Sequence, residues 1–182
     1  MSTPTASATK LPSLLGLITM IFGAIFLVAG LGTWIAVSVN LSDENITVSD
    51  DANFAGGHVD TPWEAFAQAT AIKHHSLHSS EGMTYAEIGD AMNAVKADLA
   101  AQGLSDEEIA AHEDVVKLQN SRNSVMNGSF LRASLFTSVI AFGVAALVMG
   151  LGVVLGVVGF AIRKISPATA AEPIEQAVPV AA

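Results

Sequence analysis

LPSLLGLITMIFGAIFLVAGLGTWIAVSVNLS, from Leu11 to Ser42, is a run of 32 residues without a single charge. A second run, ASLFTSVIAFGVAALVMGLGVVLGVVGFAI from Ala133 to Ile162, adds another 30. A bilayer core about 30 Å thick is crossed by roughly 20 apolar residues in a helix, so each run is long enough to span it with turns to spare. A helix that is apolar all round has no place on the surface of a soluble domain. The surplus length implies tilt or helix protruding beyond the hydrocarbon. A cleavable leader would read differently. Lys10 followed by an apolar stretch, with Ala36-Val37-Ser38 as a small-residue cleavage site, fits that pattern only loosely, because a signal core is usually 7–15 residues. The first run is therefore expected to stay in place as an anchor.

The remaining composition agrees. Of 182 residues only 14% are charged, against roughly 25% in a soluble domain. The balance is acidic, 17 Asp plus Glu against 8 Lys plus Arg, which argues against a nucleic-acid partner. There is no cysteine, so disulfides, thiolate metal sites and cysteine nucleophiles are excluded.

Basic residues near the span ends give the orientation. Lys10 precedes the first run, and Arg163 and Lys164 close the second, which places both termini on the cytoplasmic side. The segment between the runs carries 15 of the 17 acidic residues and few basic ones, Arg122 and Arg132 lying nearest the second run. It is expected outside. The expected fold is an all-α membrane protein: an antiparallel transmembrane hairpin with a small helical extracytoplasmic domain between its arms. The divisions are a tail over 1–10, spans over 11–40 and 129–163, the acidic domain over 41–128 and a second tail over 164–182. Trp34 suits an interfacial anchor at the outer end of the first span.

Small residues recur along both spans. Gly16, Gly23 and Gly30 lie seven apart, and so do Ser138, Ala145, Gly152 and Gly159. Seven residues is two helical turns, so each series forms a seam without side-chain bulk, where two backbones in lipid can approach closely. These seams are expected to face each other. Gly143, Gly150 and Gly156 form a further small-residue face, free for a membrane partner or lipid. Gly150-Leu151-Gly152 with Gly156 superficially matches a dinucleotide-binding loop, but no strand precedes it and no acidic residue follows on a strand.

Within the acidic segment, Thr61-Pro62-Trp63-Glu64, Thr84-Tyr85-Ala86-Glu87 and Ser105-Asp106-Glu107-Glu108 each read as a capping box. They predict helices over about 62–77, 85–102 and 106–124, with Gly103 ending the second, and they leave open whether the third runs on into the second span across Asn127-Gly128-Ser129. Ile46-Thr47-Val48 reads as a short strand and Gly56-Gly57 as a turn. About 90 residues with few aromatics make a marginal core, so this domain is expected to lean on other surfaces. Trp63 and Phe66 read either as core and interfacial residues or as a docking surface.

His74 and His78 lie four apart on a predicted helix, so their imidazoles share a face as metal-ligand pairs do. His75 lies off that face, and Glu81, His58 or His112 with Glu113 are the residues that would have to complete a site. No His-Glu-x-x-His motif, phosphate loop, nucleophile elbow or calcium loop is present, and neither span holds an ionisable residue of the kind that marks an ion path. Catalytic residues and cofactors are therefore not expected.

Several stretches taken in order carry a resemblance. They are Asp43-Glu44-Asn45-Ile46-Thr47-Val48, Asp51-Ala52, Phe54-Ala55-Gly56, Phe66-Ala67-Gln68-Ala69, Thr84-Tyr85-Ala86-Glu87 and the run from Ser129-Phe130-Leu131-Arg132 to Gly143. Together they resemble a family of small two-span actinobacterial membrane proteins of unknown function. Its members have a shorter segment between Glu87 and Met126, so residues 91–124 stand as an insertion here. Such proteins often bear the label of a small subunit of an aromatic ring-opening dioxygenase. Ring opening of the extradiol kind needs an iron centre held by His and carboxylate ligands, and no coherent set of these can be read from the chain. What the resemblance implies is a plasma-membrane protein without established chemistry. Proteins of this shape also occur as accessory subunits of large envelope assemblies, respiratory supercomplexes among them. The expected function is accordingly non-enzymatic: an accessory or structural subunit that touches lipid and either a larger membrane complex or its own copies. The alternative is an extracytoplasmic metal or ligand sensor at His74 and His78; a dioxygenase component is a remote third.

Overall fold

A computed structural model describes residues 10–165. Five helices follow one another: α1 Lys10–Asp43, α2 Pro62–Ser79, α3 Tyr85–Ala101, α4 Asp106–Ala111 and α5 Glu113–Ile165. The described residues are all-helical and contain no strand. Two helices, α1 and α5, are long and apolar enough to cross a membrane, and only 17% of the most apolar window of each is buried. A core helix of a soluble fold would be mostly covered. The two tails, 1–9 and 166–182, lie outside the described residues.

The molecule divides into two compact units. The first comprises the described residues 10–31 of α1 and 146–165 of α5. Its packing is set by glycine. A Cβ built on Gly16 would stand 2.7 Å from the Gly159 carbonyl oxygen, and one on Gly23 would stand 2.7 Å from that of Gly152. The reverse holds as well, at 2.7 Å from Gly152 to the Gly23 oxygen and 2.6 Å from Gly159 to the Gly16 oxygen. No real Cβ tolerates these distances, so backbone meets backbone at both levels. Met20 and Leu27 lie against these glycines, while Leu14, Ile21, Phe22, Ile25, Val28 and, on α5, Val153, Val154, Val157 and Phe160 are exposed.

The second unit is residues 32–145, and here side chains make the core. Leu41, Val48, Val59, Leu135 and Phe142 are buried together with Ala65, Ala67 and Ala69 of α2. The Trp34 ring packs against Phe142 at 4.7 Å. A smaller cluster joins Met92, Leu99, Ile109 and Val115. Helix α2 turns its alanines inward, so it approaches its neighbours closely; at Gly128 of α5 a Cβ would collide with the Ser76 hydroxyl.

Local chemistry explains the helix ends. Thr84 and Ser105 complete reciprocal capping boxes with Glu87 and Glu108. Thr61 caps differently from the expected box. Its hydroxyl accepts from the Trp63 amide at 3.4 Å and itself donates to Glu64, so the Glu64 carboxylate takes the hydroxyl as partner. Helix α3 ends at Ala101, with Gly103 at φ 88° and Leu104 N–H donating to the Leu99 carbonyl at 3.3 Å. The left-handed conformation that closes this turn suits glycine.

Two local expectations are corrected, and the continuity of the third helix with the second apolar run, which the sequence left open, is resolved. The 46–48 strand is an isolated antiparallel bridge between Thr47 and His58, because the chain turns at Asp50 to Gly56 before further pairs can form. The 106–124 helix is broken at His112, whose ψ of 137° is extended. There His112 Nδ1 accepts from the Asp114 amide at 3.3 Å, and Glu113 and Asp114 supply the first-turn negative charge that favours a new helix start. The new helix does not pause at Asn127-Gly128-Ser129. It continues as α5 for 53 residues, so the boundary expected between 128 and 129 falls inside one helix. Gly128 costs such a helix about 1 kcal/mol relative to alanine, and here it makes room for Ser76.

Candidate functional site: an aromatic groove on the second unit

The inward alanines of α2 leave its other face to larger residues. Trp63, Phe66, Thr70 and His74 follow one another at three- and four-residue spacing, a single stripe along the helix. Trp63 is 66% and Phe66 54% exposed, so neither is a core residue. Together with Val139 of α5 and the loop residues Asp51 to Phe54 they wall an open groove of about 790 Å³. That volume lies within the range of sites that take small ligands.

The loop wall is held in place by polar contacts. The Gln68 side-chain oxygen accepts from both the amide (2.9 Å) and hydroxyl (3.1 Å) of Ser49. Asp51 meets His75 Nε2 at 2.9 Å, and this hydrogen bond holds the Asp51 carboxyl below its ordinary value of 3.8. Phe54 adopts φ 66°, a left-handed conformation that bulky residues avoid, with its carbonyl accepting from the Gly57 amide at 2.9 Å. The strain leaves an aromatic ring exposed at the rim. Such outliers persist where the surroundings over-determine them and are commonest at functional sites.

Phe136 links this groove to a cation. Its ring meets Phe66 edge-on at 5.7 Å and lies 5.1 Å from the Arg132 guanidinium carbon. Arg132 is half-buried, its Nε is shielded from solvent without a hydrogen-bond partner, and no carboxylate pairs with it among the described residues. Arg122 is similar, stacking on Tyr85 at 4.1 Å with an unpartnered Nε.

The other expected site residues are placed as follows. His74 lines the groove, while His78 is exposed near the end of α2 and is not among the groove residues. The His74 and His75 rings stand 6.4 Å apart. Among the described residues no group of three or more His, Asp or Glu gathers closely enough to hold a metal ion. Gly16, Gly23, Gly152 and Gly159 make the backbone contacts described above, and Gly30 and Ala145 are buried. Gly143 and Gly150 are exposed, with open space where a Cβ would go. Gly156 also has open space where its own Cβ would go. It is half-buried, and its amide nitrogen would lie 2.8 Å from a Cβ on Gly23, so its backbone joins the seam.

Sequence reasoning missed the groove itself, with Asp51, Phe54, Thr70 and Val139. The 63-66-70-74 spacing was the available signal. No protein-family model matches the chain. No curated protein and no solved structure matches it either.

Proposed function

We propose that the chain is a non-enzymatic two-pass plasma-membrane protein that acts as an accessory or structural subunit of a larger membrane assembly. In this reading α1 and the apolar part of α5 form an antiparallel transmembrane hairpin, with both termini cytoplasmic and residues 44–132 outside. The pairings of Gly16 with Gly159 and Gly23 with Gly152 support opposite chain directions. The resemblance to two-span actinobacterial proteins points the same way, and a respiratory supercomplex is one host by analogy.

One observation carries the docking role. On α5, Gly143, Gly150 and Gly156 have open space where a Cβ would go, whereas Gly152 and Gly159 already meet another backbone. In lipid, where hydrophobic drive between helices is absent, an open small-residue face is what a partner helix packs against. The sensor reading is weaker, since His74 and His78 lack a third ligand among the described residues. The Asp51–His75 pair is exposed, and among the described residues no hydroxyl is hydrogen-bonded to this histidine.

Gentle extraction from the native membrane followed by native mass analysis tests the proposal. The expected result is a species larger than one chain, lost in the Gly143→Val, Gly150→Val double variant. A lone monomer under lipid-like conditions would overturn the reading.

A further inference from the structure

The aromatic groove and Arg132 fit one occupant. We infer that residues 32–145 hold a phospholipid of the leaflet on the acidic domain's side, its acyl chain against Trp63, Phe66 and Val139 and its phosphate on Arg132. The inference rests on the two-span reading and goes beyond it by naming a ligand and a site.

Three observations lead there. The groove reaches α5 at Val139, which belongs to the uncharged run that begins at Ala133. That run has 30 residues where hydrocarbon needs roughly 20, and Arg163 and Lys164 close its far end. Its first turns, Ala133 to Val139, thus stand at headgroup level, where aromatic side chains such as Trp63 concentrate.

The second observation is charge. Arg132 is the first residue beyond the run, in a segment with 15 carboxylates, and yet none of them pairs with it. Instead its guanidinium stacks on Phe136, the ring that touches Phe66 of the groove wall. A guanidinium held on an aromatic face keeps N–H donors for an anion that accepts two of them side by side, as a tetrahedral phosphate does through two of its oxygens.

The third is the lining. Trp63 and Phe54 are 66% and 57% exposed, and Phe54 is held in a left-handed conformation with its ring uncovered. Large apolar side chains in that state await an apolar partner. At headgroup level that partner is the upper part of an acyl chain.

The chain has two tryptophans, which makes the test direct. In the full-length Trp34→Phe variant, Trp63 is the sole indole. The protein is reconstituted into vesicles of digalactosyldiacylglycerol, whose headgroup carries no phosphate, containing a small fraction of phosphatidylglycerol brominated on its acyl chain, or of brominated diacylglycerol at the same fraction. Quenching of Trp63 by the phosphatidylglycerol should exceed that expected from its bulk fraction, and the diacylglycerol, without a phosphate, should show no such excess. Arg132→Gln should weaken the apparent affinity about tenfold, the loss of a charge-assisted hydrogen bond. Arg132→Lys, which keeps the charge but not the guanidinium fork, should recover part of it and shows that the fold survives substitution there.

Quenching in proportion to bulk fraction, or an excess unchanged in Arg132→Gln, would overturn the proposal. The reciprocal Trp63→Phe variant separates this from the two-span reading by reporting on Trp34 in fully brominated bilayers. Quenched Trp34 with no excess at Trp63 removes the lipid site alone. Unquenched Trp34 removes the membrane spans, and the lipid site with them.

Discussion

The two units solve the same packing problem in opposite ways. Residues 10–31 and 146–165 are held by glycines that bring two backbones together, with Met20 and Leu27 against them and most other large side chains exposed. In residues 32–145, Phe142, Ile88, Val48 and Val59 are almost wholly buried, and the helices are closed by side-chain caps. On the proposed two-span reading, the difference follows from the solvent around most of each unit. Where water surrounds a segment, burying apolar side chains is favourable by about 25 cal/mol per Å², so large residues go inside. In lipid that gain vanishes, and close van der Waals contact and backbone proximity remain. Helix α2 belongs to the second unit and yet borrows from the first: its buried residues are alanines, and its aromatics are outside. That inversion leaves Trp63 and Phe66 free to wall a groove.

Substitutions should separate the two modes. Phe142→Ala removes a ring 1% exposed that packs on Trp34, and should destabilise the second unit by about 4 kcal/mol, read from unfolding of the full chain in mixed micelles. Gly152→Val adds bulk where the Gly23 backbone already sits. Overpacking should cost about 3 kcal/mol, seen as loss of protection from proteolysis between α1 and α5. If the valine were tolerated, the glycine contacts would not be what holds the first unit. Ser105→Ala deletes one reciprocal cap and should cost about 1 kcal/mol in the same unfolding assay, with most of the effect confined to α4.

Acid should act on the second unit's caps as well. The Ser105 and Thr84 backbone amides, and then their hydroxyls, hold Glu108 and Glu87 below the ordinary 4.5. Their folded values are depressed, so their stabilisation is full above 4.5 and is lost as pH falls through the lower folded values. Circular dichroism on acidification should therefore show helix loss below that point, smaller in the Ser105→Ala variant. Both carboxylates are exposed, which keeps the effect modest. The smallest change is expected from Gly143→Val, which meets open space and should alter stability by less than about 0.5 kcal/mol while weakening association with a partner.

Much of the architecture was legible because its causes are local. Two uncharged runs announce α1 and the apolar part of α5 by length alone. The boxes at Thr84 and Ser105 announce α3 and α4 by hydrogen bonds within four residues. The break at His112 was also written locally, in Glu113-Asp114, but the preceding box at Ser105 drew the helix onward. The groove was not legible, since it depends on which way α2 faces. Trp63 and Phe66 carry the larger apolar surfaces, and only the close seating of Ala65, Ala67 and Ala69 turns them outward. Arg132 reads from sequence as an orientation signal; its lack of a carboxylate partner emerges only in three dimensions.

The absence of cysteine permits the most direct test of the two-span topology. Single-cysteine variants Thr3→Cys, Ala86→Cys and Ala171→Cys are exposed to a membrane-impermeant maleimide, first on intact cells and then after lysis. The account predicts that Ala86→Cys labels in intact cells and that the two terminal variants label only once the membrane is opened. Labelling of either terminus in intact cells with Ala86→Cys protected would contradict it.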